Sequence, residues 1–236
     1  MKEVFIKKLV EIFDKNNIKL TTNQQEKFYQ YYSLLLEWNE KFNLTTITSL
    51  EDVIVKHFLD SVLGKDLITQ NSKIIDIGAG AGFPSLPLKI VRDDLSFYMV
   101  DSVNKKVTFL QECINKLNLS NVIAVHTRAE DLAKKSEFRE GFDVSVARAV
   151  AQLNTLAEYC LPFVKVGGKM ISYKSSEIEE EINNSKKAIS ILGGKIEKVN
   201  SFSLEGVERK IIEIKKNSTT PNKYPRSGNK PRLMPL

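Results

Sequence analysis

The chain has 236 residues, 42% apolar and 27% charged, with a formal net charge of +6. That balance reads as a water-soluble globular protein of one large domain with an extension, since no apolar run approaches the roughly 20 residues that span a bilayer. Two histidines argue against a His-rich metal site, so no metal is expected. Cys113 and Cys160 are single and distant and read as reduced core thiols, and Met1–Lys8 has no secretory pattern; a cytoplasmic location is expected.

Residues 1–63 are read as a helical extension. Val4, Phe5, Leu9, Ile12 and Phe13 form an apolar stripe at helical spacing. Thr22-Asn23-Gln24-Gln25 fits a capping box, and the run behind it carries Phe28, Tyr31, Tyr32, Leu35, Trp38 and Phe42. Ser49 suits the cap of a third helix that buries Val53, Ile54, Phe58 and Val62. These aromatics read as core, packing the extension against the next domain.

From Lys73 strands and helices alternate. Strands are expected near 73–77, 96–101, 121–125, 142–147 and 166–173, with helices near 84–91, 103–118, 130–136 and 150–161. Such alternation implies an α/β fold with a mostly parallel, Rossmann-like sheet and right-handed crossovers. A charged helix from about Glu177 stops at Gly193-Gly194, and strands near 195–202 and 209–215 are close enough to pair as a hairpin. One of them then runs antiparallel to the rest. This unit is taken as 64–216.

The first strand feeds Asp76-Ile77-Gly78-Ala79-Gly80-Ala81-Gly82-Phe83-Pro84. A glycine turn between a strand and a helix lets backbone approach a ligand closely, and the second strand ends in an acid, Asp101, placed for a ribose. The glycine spacing departs from the dinucleotide fingerprint at Phe83, and no Lys-Ser/Thr pair succeeds the glycines as in a P-loop. S-adenosylmethionine, which has a ribose and an amino-acid zwitterion but no pyrophosphate, fits better. The third strand leads into Ala129-Glu130-Asp131, where a carboxylate could accept from an adenine amino group, and the fourth into Arg148 between small residues. The acid pair also fits simple helix N-terminal stabilisation, and Arg148 fits either a cavity-lining role or an ion pair.

The terminal segment, 217–236, is read as a basic arm. Six of the 35 basic residues lie from Lys215 onward with no acid among them, so the remainder balances the 29 acids of the body. Four prolines there oppose regular helix or central strand. Such an arm fits contact with a polyanion, or equally a solvated tail.

Taken together, Trp38–Thr45, Lys56–Ser61, Asp76–Pro84, Val146–Ala151, Val166-Gly167-Gly168 and Lys223–Arg226 resemble the bacterial small-subunit ribosomal RNA 7-methylguanosine methyltransferases, also called glucose-inhibited division protein B, over essentially the whole chain. The resemblance implies methyl transfer from S-adenosylmethionine to a guanosine of the decoding region. It implies cofactor contacts at Gly78, Phe83, Ala129, Glu130 and Arg148, to which the strand-end argument adds Asp101. No general base is expected; Arg148 is the candidate for orienting base or cofactor. His57, Lys174, Arg226 and Arg232 are candidate RNA contacts. The partner implied is small-subunit ribosomal RNA, in the assembled subunit, acted on by a monomer without membrane attachment. Ser85 departs from the family's usual Gly, and Arg226–Arg232 departs from its terminal pattern. The competing readings are a small-molecule methyltransferase, a non-catalytic ribosome-assembly factor and, last, a nicotinamide oxidoreductase.

Overall fold

A computed structural model describes residues 1–236. Seven strands form one sheet in the order β3-β2-β1-β4-β5-β7-β6, comprising β1 (Lys73–Ile77), β2 (Ser96–Asp101), β3 (Val122–His126), β4 (Phe142–Arg148), β5 (Val164–Lys174), β6 (Gly194–Leu204) and β7 (Val207–Lys216). The first five run parallel, and β7 is antiparallel to both β5 and β6. The expected hairpin is therefore present, and its turn places Glu205 and Gly206 at positive φ.

Strand alternation sorts the core into two layers. Ile74 of β1 faces one side with α1 (Lys2–Lys15), α2 (Thr22–Phe42), α5 (Ser85–Val91) and α6 (Asn104–Lys116). Ile75 and Ile77 face the other, with α7 (Ala129–Leu132), α8 (Leu153–Cys160) and α9 (Glu179–Ile191). Phe5, Phe28, Tyr31 and Phe58 lie in the same cluster as Phe97 and Met99, so the N-terminal helices share the core of the sheet. Both cysteines are buried and unpaired. No helix is long and apolar enough to cross a membrane.

Three local expectations need correction. The capping box of α2 is Thr21 with Gln24, one residue earlier than expected. Thr22-x-x-Gln25 has the same pattern, but the Gln25 amide turns back to the Leu20 carbonyl at 3.0 Å. Pro84 precedes the first turn of α5 instead of lying within it. The terminal arm does form a helical turn, α10 (Lys230–Leu233). Pro231 is accommodated at its start, where a backbone donor has no intrahelical acceptor.

The third helix is expected behind Ser49, and Ser49 does cap it. Its path departs from a regular α-helix. One turn, α3 (Leu50–Asp52), passes into a π-helical stretch, Val53–Leu59, and out through α4 (Asp60–Val62). Such widened turns recur near functional sites. Here the segment presents the Lys56 carbonyl, the His57 ring and the Asp60 carboxylate to a single guanidinium, that of Arg148.

Candidate functional site at the carboxyl edge of the sheet

The glycine turn after β1 is stitched to the end of β2. The amides of Gly78 and Ala79 both donate to the Val100 carbonyl, at 2.8 and 3.0 Å. Asp101 then uses one carboxylate oxygen on the Gly80 amide, at 2.9 Å, and the other on the Val103 amide, at 2.8 Å. From behind, the Tyr31 hydroxyl donates to the Ala81 carbonyl. Two of the turn's glycines do different work. Gly78 has φ +73°, and a Cβ there would meet the Val150 side chain at 2.8 Å, so it is required by packing and backbone shape. At Gly80 a Cβ would come no nearer than 3.8 Å to its neighbours, so this is the turn's open position.

A cleft of about 400 Å³ opens between these turns and the loops after β3 and β4. Gly78, Asp101, Ala129 and Glu130 all line it, which brings together four of the six expected cofactor residues. Val103 and Val150 supply apolar walls. Glu130 is 5% exposed and has Arg128 at 3.3 Å. Asp131 points elsewhere, pairing with Lys134 at 3.1 Å, and of the two acids only Glu130 lines the cleft. A carboxylate has about four lone-pair sites. Asp101 has committed two to backbone amides, so acceptor capacity remains for sugar hydroxyls. This donor set fits an adenosyl ligand.

Phe83 and Arg148 do not line the cleft. They form an adjoining cluster in which His57 stacks on Phe83 (centroids 4.3 Å apart, planes 20° apart) and the Arg148 guanidinium lies 5.0 Å from the same ring. Arg148 donates to Asp60 at 2.6 Å and to the Lys56 carbonyl at 3.2 Å, and Asp60 also accepts from Arg209 at 3.1 Å. Arg148 thus forms the ion pair that was one of its two expected roles. His57 is buried, and burial together with the Arg148 charge pushes its pKa down to about 4. Its ring is therefore neutral. Because Arg148 faces Nδ1, that nitrogen is the acceptor, and the proton sits on Nε2, 2.9 Å from the Thr45 hydroxyl. His57 thus joins helices to the glycine turn and presents no donor to solvent.

Two other expected RNA contacts are also internally engaged. Lys174 pairs with Glu181 at 2.6 Å and donates to the Ala151 carbonyl at 3.0 Å. Arg226 is bound to Glu158. Arg232 alone of the four stands free, at the rim of the cleft.

Asp76 is fully buried. Its Oδ2 accepts from the Ser85 hydroxyl at 2.6 Å, and its Oδ1 has no partner. Burial raises its pKa to about 7 despite the Ser85 bond and the nearby Arg148 charge.

Residues 24–212 match GidB, described as rRNA small subunit methyltransferase G. The chain belongs to this family. It is 50% identical over 221 residues to the Ribosomal RNA small subunit methyltransferase G of Lachnoclostridium phytofermentans, covering 92% of this chain and 91% of that one. It is 48% identical to the protein of the same name from a Thermoanaerobacter species, over all of both chains. Among solved structures, M. jannaschii TYW2 in complex with AdoMet shares the fold with a TM-score of 0.55 at 17% identity, over 72% of this chain and 77% of that one. A SAM dependent methyltransferase from Aquifex aeolicus does so with a TM-score of 0.52 at 17% identity, over 69% and 92%.

Against that family background, most cleft residues that sequence reasoning missed stand beside expected ones, as Val103 and Val150 do, and a few come from far along the chain. Asn229 reaches the cleft and lies 3.5 Å from Arg128, 101 positions away. No local pattern could announce it. Asp60, which holds Arg148, lies within the motif Lys56–Ser61, but nothing beside it in the chain names its partner. Val103 had a readable signal, two residues past the strand-end acid at the start of α6.

Proposed function

We propose that the chain is an S-adenosylmethionine-dependent methyltransferase that forms 7-methylguanosine in the decoding region of small-subunit ribosomal RNA. The observation that carries this reading is the carboxyl-edge cleft shared by Gly78, Asp101, Ala129 and Glu130. When bound there, S-adenosylmethionine supplies an electrophilic methyl group on a sulfonium. Asp101, held by the Gly80 and Val103 amides, is placed to accept from the ribose hydroxyls. Glu130 is placed to accept from the adenine amino group, between the apolar walls of Val103 and Val150. The protein's main task is then alignment and exclusion of water.

The acceptor needs no deprotonation, because guanine N7 carries an available lone pair on the major-groove edge. The side chains agree with that requirement, since no histidine lines the cleft. His57 is consumed by Arg148 and Thr45, and the His126 ring lies 3.0 Å from the Ser102 carbonyl. The Arg148–Asp60 pair holds Phe83 and the glycine turn in place, a positioning role beside the cofactor. The division into 1–63, 64–216 and 217–236 is read as one of roles within a shared core: support, cofactor binding and substrate contact.

The direct test is to incubate the protein with labelled S-adenosylmethionine and either naked ribosomal RNA or small subunits from a strain lacking the gene. Label should map to a single guanine N7 in the decoding region, with the assembled subunit preferred and the protein acting as a monomer. Binding of RNA without label transfer would favour a non-catalytic assembly factor.

A further inference from the structure

The charges of the cleft do not balance. Lys106 lies 3.9 Å from Asp101, and Arg128 lies 3.3 Å from Glu130, so each lining carboxylate has a cation at hand. Arg232 is the fifth charged group of the lining, and it makes no ion pair or side-chain hydrogen bond. Its neighbour on α10, Lys230, is exposed and unpaired as well.

Nor is α10 a loose tail. The Thr155 hydroxyl, buried on α8, donates to the Pro231 carbonyl at 3.1 Å, and Pro231 is itself buried. Further back, Arg139 donates to the carbonyls of Thr220, Pro221 and Tyr224, at 2.7, 3.2 and 2.9 Å. Next along the arm, Arg226 is clasped by Glu158. The arm thus crosses the body under restraint and delivers an uncompensated guanidinium to the mouth of the cleft. An anchored cation with no protein partner is arranged to receive an anion. The groups that address sugar and base are accounted for by Asp101 and Glu130, and S-adenosylmethionine carries no phosphate.

We propose that α10 is the RNA-side wall of the cleft, and that Arg232, with Lys230 beside it, receives the backbone phosphate of the nucleotide whose base enters. This rests on the reading of the cleft as the methyl-transfer site. The arm is then a built part of that site, with Arg226 as a positioning residue that fixes where Arg232 stands.

The test uses the full-length protein with Arg232→Gln, Lys230→Gln and, as a control, Lys223→Gln, which removes a cation of the same arm outside the cleft. Cofactor affinity is measured by calorimetry. The KM for small subunits is measured across a salt series. Arg232→Gln should raise that KM about tenfold and flatten the log–log salt slope by roughly 0.7–0.9, the loss of one phosphate contact. Lys230→Gln should move both in the same direction by less, and Lys223→Gln should move neither. Cofactor affinity should stay within about twofold in all three. A thermal melt checks folding, which should hold because Arg232 and Lys230 support no other side chain. Reduced cofactor affinity with an unchanged salt slope would assign the guanidinium to the cofactor carboxylate and overturn the proposal, as would no change in any quantity. Absence of methylation by the unmodified protein would instead defeat the function proposed above.

Discussion

Arg226 and Glu158 form a clasp that ties the last residues of the chain to the body. The guanidinium donates from Nε at 2.9 Å to one carboxylate oxygen and from Nη2 at 2.6 Å to the other, and the Arg226 backbone amide adds a bond at 2.7 Å. The Glu158 side chain is 1% exposed, so it depends on this partner. Arg226→Ala should destabilise the protein by about 3 kcal/mol, because a buried carboxylate is left without its cation. Urea unfolding at neutral pH measures this. Truncation after Lys216 should cost stability for the same reason, since it leaves Glu158 without Arg226.

The two acids after β3 should behave differently. Glu130→Gln should weaken S-adenosylmethionine binding by about 1–3 kcal/mol, the usual loss when a buried hydrogen-bonding partner is altered. Asp131→Asn should leave it unchanged, because Asp131 pairs outward with Lys134. Calorimetry on both variants decides between a cofactor role and simple helix stabilisation.

His57 makes stability sensitive to acid. Its pKa in the folded protein is about 4, below the 6.5 of an exposed ring. The unfolded chain therefore binds a proton first as pH falls. Stability that is fully present above about pH 6.5 should be lost progressively toward pH 4. His57→Gln should show a shallower dependence across that window, measured as the urea midpoint at each pH.

Asp76 works in the opposite direction. Its folded pKa of about 7 lies above the ordinary 3.8, so the folded state retains a proton that the unfolded state releases. Stability should be greatest, as far as this group is concerned, below about pH 4, and should fall as pH rises through 7, by an amount on the order of a few kcal/mol. Asp76→Asn keeps the shape and should remove that decline. Ser85→Ala removes the side-chain donor to the carboxylate and should extend the decline to higher pH.

The chemical step should be nearly independent of pH from mildly acidic to mildly alkaline conditions. Single-turnover methylation with saturating substrate reports it. A unit-slope rise abolished by replacing one acid or histidine, with substrate binding intact, would indicate general-base chemistry and an amine acceptor instead.

Gly78 shows how legibility of the site was divided. The motif marks it as part of a ligand turn, and it does line the cleft. Yet Gly78→Val is a poor probe of cofactor contact, because Val150 already occupies the space a side chain would need. Arg148 shows the same division. Its small neighbours at the end of β4 suggest a cavity, but its partner is Asp60, 88 residues earlier. Nothing near Arg148 in the chain encodes that pairing.

What the sequence determined on its own was everything written in local periodicity and turn chemistry. Strands 73–77 and 96–101 are legible because apolar runs end in an acid, the glycine turn because few other residues take its backbone shape, and the Gly193 stop for the same reason. The family was legible as a resemblance, because six stretches similar to it occur in order. Only the tertiary structure decided which charged side chains are free. His57, Lys174 and Arg226 are spent on Arg148, Glu181 and Glu158, whereas Arg232 reaches the cleft unpaired. The physical reason is that a charge's role depends on which opposite charge lies within about 4 Å and how far both are shielded from water. Those distances are set by how α2, the π-helical segment and the terminal arm pack on the sheet, not by the residues beside each charge in the chain.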